Sequence, residues 1–435
     1  MTCLAMPNGL SGYAKWYGQA GTPVVTAKGQ HDPARRDYVL SLSQFTSPTA
    51  GEPGKLPLAM PLGLGLITPE GATVADVPAM VELASGQTSL TIRNVAQRPA
   101  LSLNRGFSAP IVLHTDNTPT ELLVLLAHDS DTFNRWEAGQ ALARQFMLRI
   151  MAEGSADVAA FATALGRVLA DHSLDAAYRA LMLDMPPEAE IAALIGANVD
   201  SEHVAAARRK LRTEVARHLL PILDEIIATT GEPGPYQPDA ASTGRRALRY
   251  AALALLTLAT PDRGLALAAT ELEQAGSMTA EMGALAASLA FEQGAELRAR
   301  FIARHKDDPL LVDKWLALAA AAPLPGAAAR VEALETNPLF SWTRPNKVYA
   351  LLGGLAANFC GFHDASGEGY RVLADAIIRL DGINPQVAAR MATSFRSWKL
   401  FEATRRSHAR TQMERILRTE KLSQDVFEII TRTSA

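Results

Sequence analysis

The chain has 435 residues, of which 48% are apolar and 20% are charged. That length exceeds what one hydrophobic core normally supports, so about two to four well-packed domains are expected. The 42 basic and 45 acidic residues give a net charge of -3. This balance provides no positive field for gathering nucleic acid or an anionic membrane, so neither is expected as a partner.

The cysteine content and the N-terminus indicate a cytoplasmic protein. Cys3 and Cys360 are the only cysteines, too few for a disulfide framework, which favours a reducing compartment. The first 21 residues lack the basic start and continuous apolar run of a signal peptide. No window reaches the roughly 18 uninterrupted apolar residues that a membrane helix needs.

Residues 1–12 are predicted to be an irregular segment, and residues 13–117 a small antiparallel β-sandwich. The second prediction rests on short runs that are rich in β-branched residues and bounded by Gly, Pro and Asp. The runs are "GTPVVTAKG", "DYVLSLSQFT", "KLPLAMPLGLGLIT", "QTSLTIRNV" and "LSLNRGFSAPIVLHT". Several short strands separated by turn signals are typical of a sandwich.

The pattern changes to helical at "TPTE", so residues 118–435 are predicted to form a large all-α domain. Thr118 can cap a helix whose first residue is Pro119, and Glu121 stands three residues after the cap. This spacing is that of a capping box, in which two side chains satisfy two otherwise unpaired N–H groups at the helix start.

Further polar residues predict where the next helices begin and end. Asp131 is expected to cap a long helix that Gly154 ends, and Ser155, Ser173 and Ser201 are candidate caps for later helices.

The rest of the helical region predicts an array of stacked helix pairs. "GEPGPYQPDAAS", residues 231–242, is the clearest break, and alanine is abundant from 240 to 330. Small side chains let neighbouring helices approach closely, so a superhelical array is expected, although no strict sequence period is present.

No motif for catalysis or metal binding is found. No two of the nine histidines are four residues apart, which excludes the H-E-x-x-H zinc helix. The fragments around Ser11, Lys55 and residues 63–66 fail as a nucleophile elbow, a phosphate loop and a dinucleotide fingerprint. All three are predicted to be turns or loops, with no catalytic residue and no metal ligand.

The segment 341–390 combines two helix starts with polar side chains. "RPNKVYALLGG" and "NPQVAAR" each begin with a proline-containing turn, and Lys347, Tyr349 and Arg390 stand near these starts. Helix N-termini have unpaired N–H groups that can receive carboxylates or peptide carbonyls, so the two starts can line a cleft. From the residues alone, an ordinary structural role is favoured.

Six collinear runs resemble the C-terminal part of the bacterial aminopeptidase N family, the alanyl aminopeptidases of the zinc-dependent gluzincin group. They are "KWYGQAGTPVVT", "FSAPIVL", "FNRWEAGQALA", "DKWLALAAA", "RPNKVYALLGGLAANFCGFHDASGEGY" and "NPQVAARM". The family has an N-terminal sheet domain, a thermolysin-like catalytic domain, a small β-sandwich and a helical domain that closes over the active site. The resemblance covers the last two.

The resemblance implies substrate-channel residues and no metal site in this chain. The zinc-binding H-E-x-x-H and the G-A-M-E-N element belong to the family's catalytic domain, and neither string occurs here. In the helical domain, the arginine of "NPQVA-x-R" matches Arg390. The segment "NPNR-x-R" matches Asn346 and then Lys347 at its first basic position, whereas its second basic position is Tyr349.

The expected function is therefore that of a non-catalytic cap, which closes the active-site chamber of an aminopeptidase and lines its substrate channel. Its expected partners are the family's catalytic and N-terminal domains, with peptide as substrate only in that setting. Surfaces built to be covered by those domains are also expected to favour homo-oligomers. The alternative is a stand-alone helical-array module for protein interactions. A hydrolase with unrelated chemistry has no supporting motif.

Overall fold

Helix α1 (Gly9–Gly18) is the first element in the computed structural model, which describes residues 9–231 and 234–435. Of the segment expected to be irregular, residues 1–8, with Cys3, lie outside the described residues, and residues 9–12 begin this helix. Trp16 anchors α1, because its indole Nε1 donates to the Ala59 carbonyl at 2.9 Å. The turn predicted around Ser11 is wrong, since Ser11 lies within α1.

A β-sandwich follows, as predicted. Its strands are β1 (Val24–Asp32), β2 (Asp37–Phe45), β3 (Met60–Ile67), β4 (Met80–Leu83), β5 (Gln87–Ile92), β6 (Ala100–Leu103) and β7 (Val112–Thr115). They form two sheets with strand orders β5-β2-β1-β7 and β4-β3-β6. The prediction of a wholly antiparallel sandwich is wrong in one pairing, because β7 runs parallel to β1, with Val24 opposite Val112.

The sandwich core comes from alternate residues of β1 and β2 and from nearly all of β3. Leu40 and Leu42 of β2 are buried, and so are Leu62, Leu64 and Leu66 of β3. In a strand that buries one face, buried and exposed residues alternate, whereas a strand covered on both faces is apolar throughout.

The two motif fragments in this region have different outcomes. The segment around Lys55 is a loop, as predicted, in which Lys55 Nζ donates to the Ala20 carbonyl at 2.9 Å. Residues 63–66 lie inside β3, so the prediction of a turn there is wrong. A glycine is needed at position 63 of that strand because a Cβ there would lie 2.8 Å from the backbone carbonyl oxygen of Arg105.

The remainder of the chain is helical. The helices are α2 (Pro119–His128), α3 (Thr132–Glu153), α4 (Ala159–Ala170), α5 (Ala176–Met182), α6 (Glu188–Ile195), α7 (Ser201–Thr229), α8 (Ala240–Ala259), α9 (Pro261–Gln274), α10 (Met278–Ala287), α11 (Gly294–His305), α12 (Pro309–Ala321), α13 (Ala327–Glu335), α14 (Pro345–Ala357), α15 (Phe359–Phe362), α16 (Glu368–Asp381), α17 (Pro385–Ala392), α18 (Ala403–Leu417) and α19 (Gln424–Ser434). Two 3₁₀ segments, Arg105–Phe107 and Thr393–Leu400, complete the described elements.

The helix boundaries confirm the strongest capping predictions. Thr118 and Glu121 form the capping box of α2, and the Asp131 carboxylate accepts from the Asn134 N–H at the start of α3. Gly154, with a φ of 77°, follows the end of α3. Of the break predicted at 231–242, residues 231 and 234–239 lie between α7 and α8, residues 240–242 already belong to α8, and residues 232–233 lie outside the described residues.

The three serine caps are wrong. Helix α4 begins four residues after Ser155. Helix α5 is capped by Asp175 rather than Ser173, and α7 by Asp200 rather than Ser201. In both of the last two cases a nearby aspartate accepts the N–H bonds, and a carboxylate also has the more favourable interaction with the helix dipole.

By its internal packing the chain divides into two compact units. One comprises the residues up to Gln145 together with Ala159–Asp171, and the other comprises Phe146–Val158 and His172–Ala435. Among its described residues, the second unit has an apolar cluster built from α8–α11 and another built from α12–α19. Trp315 of α12 is half-buried and packs against both clusters.

No helix among the described residues combines the length and the apolar character of a membrane span. The expected boundaries of the domains, at residues 12 and 117, and the expected cytoplasmic location stay predictions.

Candidate functional site

The two helix starts of segment 341–390 are both present and adjoin one cleft. Helix α14 begins at Pro345 after Arg344, which makes no side-chain cap bond, and α17 begins at Pro385 after Asn384, whose side chain accepts from the Val387 N–H. Proline suits the first helical position because its missing N–H would be unpaired there in any case. A cleft of about 270 Å³ is lined by Trp342, Thr343, Pro345, Leu380, Ile383, Asn384 and Val387.

Five of the seven residues that line the cleft are apolar, and Trp342 forms an aromatic wall. The Trp342 ring packs edge-on against Phe340, with centroids 5.1 Å apart. On the same ring lies the Arg379 guanidinium, 4.4 Å from the centroid. A guanidinium over an indole is held by the negative face of the ring. The wall is therefore fixed from two directions.

Lys347 does not offer its charge to the cleft. Its side chain is buried, and Nζ lies 3.2 Å from Oδ1 of Asp313 on α12. An enclosed ammonium needs such a partner, because an unpaired buried charge is costly. Lys347 therefore ties α14 to α12.

Tyr349 and Arg390 are brought together. The guanidinium carbon of Arg390 lies 4.5 Å from the centroid of the Tyr349 ring. Tyr349 is half-buried, whereas Arg390 is exposed. No hydrogen-bond or ion-pair partner for the Arg390 guanidinium occurs among residues 9–231 and 234–435. A guanidinium over a ring face keeps N–H groups that can donate to a carboxylate or a carbonyl.

Of the four residues expected in the channel, the structure thus pairs Tyr349 with Arg390 and turns Lys347 toward Asp313. Asn346 is exposed in the first turn of α14. Sequence reasoning missed Asp313, Trp342 and Arg379 as parts of this region. Asp313 stands 34 positions before Lys347, and nothing in its local sequence indicates the pair.

Substituting Asp313 by alanine is expected to destabilise the chain by about 1–2 kcal/mol, because it leaves the Lys347 ammonium enclosed without a partner. The figure is below that for a fully buried pair, since Asp313 keeps some contact with water. Urea unfolding of the Asp313→Ala variant measures the loss.

The matched control is the double variant Lys347→Met with Asp313→Ala, which removes both charges. Its stability should return to within about 0.5 kcal/mol of the wild type. A double variant as unstable as Asp313→Ala alone would show that packing, not the charge pair, sets the effect.

Metal ligands do not gather anywhere in the described chain: within its 9–231 and 234–435 segments, no group of three or more His, Cys, Asp or Glu side chains is placed to hold an ion.

Comparisons with known proteins agree with the division into strands and helices. Residues 21–116 match the family described as "Domain of unknown function (DUF3458) Ig-like fold", and residues 119–435 match "Domain of unknown function (DUF3458_C) ARM repeats". The helical region therefore consists of ARM-like repeats.

Whole-chain comparisons point to one group of proteins. The chain is 38% identical to aminopeptidase N of Caulobacter vibrioides over 439 residues, covering 99% of this chain and 51% of the relative. It is 31% identical to aminopeptidase N of Haemophilus influenzae and 29% identical to that of Escherichia coli, covering 97% and 98% of this chain and 50% of each relative. The chain thus spans about half the length of the curated relatives it matches.

A solved structure shares the fold. The crystal structure of Legionella pneumophila aminopeptidase A in complex with aspartic acid aligns with a TM-score of 0.85 at 24% identity, over 98% of this chain and 50% of that chain. Both family matches are collinear with the resemblance found in the sequence. The chain therefore belongs to the family of Ig-like and ARM-repeat domains that form a C-terminal region of aminopeptidase N.

Proposed function

We propose that this chain acts as the C-terminal cap of a zinc-dependent aminopeptidase, closing the active-site chamber over a peptide. The observation that carries the proposal is the match over 97–99% of this chain to only about half of each aminopeptidase N relative. The cap would act together with the half of those relatives that this chain does not match. Zinc would be bound in that other half.

Within the cap, the stacked pair of Tyr349 and Arg390 is proposed to hold the peptide beyond the scissile bond. Support comes from the exposed guanidinium of Arg390, which lies over the Tyr349 ring and has no other partner for its N–H donors among the described residues. The tyrosine stands where the family has a second basic residue. One oriented cation can then receive a peptide carboxylate or carbonyl without repulsion from a neighbouring cation.

The experiment is steady-state kinetics of the cap mixed with the other half of the Caulobacter vibrioides relative, expressed separately. Arg390→Gln should raise KM for an alanyl tripeptide by about tenfold, as expected for one lost charge-assisted contact. An alanyl anilide, which has no residues beyond the scissile bond, should be affected far less.

Two matched variants make this test specific. Arg396→Gln removes an exposed arginine six residues further along and should leave both substrates unaffected. Tyr349→Phe keeps the aromatic face under Arg390 and should behave as the wild type. Equal losses on tripeptide and anilide in Arg390→Gln would contradict the assigned role. The expected self-association of the chain stays a prediction.

A further inference from the structure

Near the cleft between α14 and α17, an arginine lies over an aromatic ring at two places. Arg379 of α16 lies over the ring of Trp342, which lines the cleft, with 4.4 Å between the guanidinium carbon and the ring centroid. Arg390 of α17 lies over the Tyr349 ring in the same way, at 4.5 Å. The negative face of each ring attracts the guanidinium, whose N–H groups can still donate to a further partner.

Helix periodicity puts the two arginines at opposite ends of the cleft. Pro345 of α14 and Val387 of α17 line the cleft. Tyr349 follows Pro345 by four residues and Arg390 follows Val387 by three, so this pair lies about one turn further along the same helix faces. Trp342 lies at the other end, before α14 begins. One turn rises about 5.4 Å, which one or two residues of an extended peptide would span.

Both arginines are available to a ligand. Arg379 and Arg390 are exposed, and neither guanidinium has a hydrogen-bond or ion-pair partner within residues 9–231 and 234–435. Glu335 senses the charge of Arg379, but burial raises the pKa of Glu335 to about 7, so its carboxyl is partly protonated at neutral pH. By contrast, Arg371 on the same helix as Arg379 pairs with Glu332 at 2.8 Å. Two uncompensated positive charges therefore flank the cleft.

The cleft between these charges suits one large apolar side chain. Its volume of about 270 Å³ lies just below the roughly 300–1,000 Å³ of sites for drug-sized ligands. Leu380 and Val387 are buried in its wall, whereas the Ile383 side chain is 43% exposed and would gain from being covered. The last residue of a peptide carries both an apolar side chain and a carboxylate, so it can complement the cleft and an arginine together.

We propose that the cleft holds the large apolar side chain of a peptide's C-terminal residue, with the terminal carboxylate on Arg379 and an upstream carbonyl on Arg390. The inference rests on the proposed function, in which Arg390 holds the peptide beyond the scissile bond. It adds that the chain selects short peptides that end in a large apolar residue, such as leucine.

The test is isothermal titration calorimetry of the full chain with Ala-Ala-Leu, Ala-Ala-Ala and the C-terminal amide of Ala-Ala-Leu. Ala-Ala-Leu should bind at least about tenfold more tightly than Ala-Ala-Ala, because leucine buries more apolar surface. The amide should bind about fivefold more weakly than the acid, because it lacks the negative charge. Equal binding of the acid and the amide, equal binding of the two acids, or no binding of Ala-Ala-Leu at up to about 10 mM overturns the proposal.

Variants then locate the two contacts. Arg379→Gln should bind Ala-Ala-Leu only as tightly as the amide and should bind the amide as the wild type does, a pattern that loss of structure would not give. Ile383→Asn should reduce the preference for leucine over alanine at least about threefold. Arg418→Gln removes an exposed charge from α18 and should change neither ratio. An Arg379→Gln variant that keeps the preference of the wild type for the acid over the amide overturns the carboxylate assignment.

Failure of this inference can be told apart from failure of the cap function, because binding by the chain alone requires no turnover. An active mixture with the other half of the Caulobacter vibrioides relative, together with no preference for leucine, overturns the inference and leaves the cap function in place. A preference for leucine and for the acid in a chain whose mixture is inactive supports the peptide site and contradicts the cap function.

Discussion

Replacing Gly354 by alanine is expected to destabilise the helical unit by about 3 kcal/mol, the upper range for forcing an extra methyl group into a packed core. Gly354 lies in α14 against α12, where a Cβ would stand 2.7 Å from the Ala317 carbonyl oxygen and 2.9 Å from Cβ of Ala320. The first of these is a backbone atom, which cannot move aside by a rotamer change. The two helices must therefore separate, and the buried cluster that includes Leu316 and Leu352 loses contacts.

The neighbouring glycine provides the control. Gly353 belongs to the same helix, but a Cβ there would meet no atom within 4 Å. Gly353→Ala should stabilise the chain by up to about 1 kcal/mol, because alanine loses less backbone entropy in a helix. Urea unfolding of both variants measures whether each substitution lowers or raises the free energy of unfolding. A Gly354→Ala variant as stable as Gly353→Ala would show that the close approach of α12 and α14 is not real.

Acid is expected to destabilise the chain through His363, by about 3 kcal/mol between pH 7.5 and pH 4.5. His363 is buried and stacks on Phe401 with ring centroids 3.9 Å apart. Its Nδ1 lies 2.8 Å from the Tyr370 hydroxyl, and its backbone carbonyl accepts from Arg405 Nε at 2.6 Å. Burial, and then the positive charge of Arg405, lower the pKa of His363 to about 3.

The direction of this change in stability follows from proton binding in the folded and unfolded states. An unfolded histidine has a pKa near 6.5, so between about pH 6.5 and pH 3 the unfolded chain binds a proton that the folded chain does not. The stability contributed by neutral His363 is therefore complete above about pH 6.5 and is lost as the pH falls. Between these two pKa values, each unit by which the pH falls lowers the free energy of unfolding by about 1.4 kcal/mol.

Glu335 acts in the opposite direction over much of the same range. Burial, and then the charge of Glu332, raise its pKa to about 7. The folded chain therefore binds this proton more strongly, and the contribution of Glu335 falls as the pH rises. The measurement is thus the difference in unfolding free energy between the wild type and His363→Gln, which cancels the other groups. That difference should change by about 3 kcal/mol between pH 7.5 and pH 4.5, and a difference independent of pH contradicts the assignment.

Local signals predicted much of the fold. The Thr118 and Glu121 capping box, the stop at Gly154 and the break before α8 each depend on chemistry within a few residues. The parallel pairing of β7 with β1 could not be predicted in this way, because it joins segments about 88 positions apart in sequence, as Val24 and Val112 show. Strand β4, with four residues, is too short to give a periodic signal.

The candidate site was predicted in part. Both helix starts were foreseen from their prolines, and Arg390 and Tyr349 do meet across α14 and α17. The direction of Lys347 was not foreseen, since a lysine in a first helical turn is usually solvated. Its burial depends on Asp313, which only the packing of α12 on α14 brings within reach.

The central claim is that this chain completes an aminopeptidase when it is combined with the half of its relatives that it does not match. The most direct test is hydrolysis of an alanine-linked chromogenic anilide, with added zinc, by the purified chain, by the other half of the Caulobacter vibrioides relative, and by their mixture. Turnover in the mixture that exceeds the sum of the separate halves is the predicted result. Zinc-dependent turnover by this chain alone, or a mixture no more active than its parts, would contradict the claim, and the second of these would favour a stand-alone interaction module.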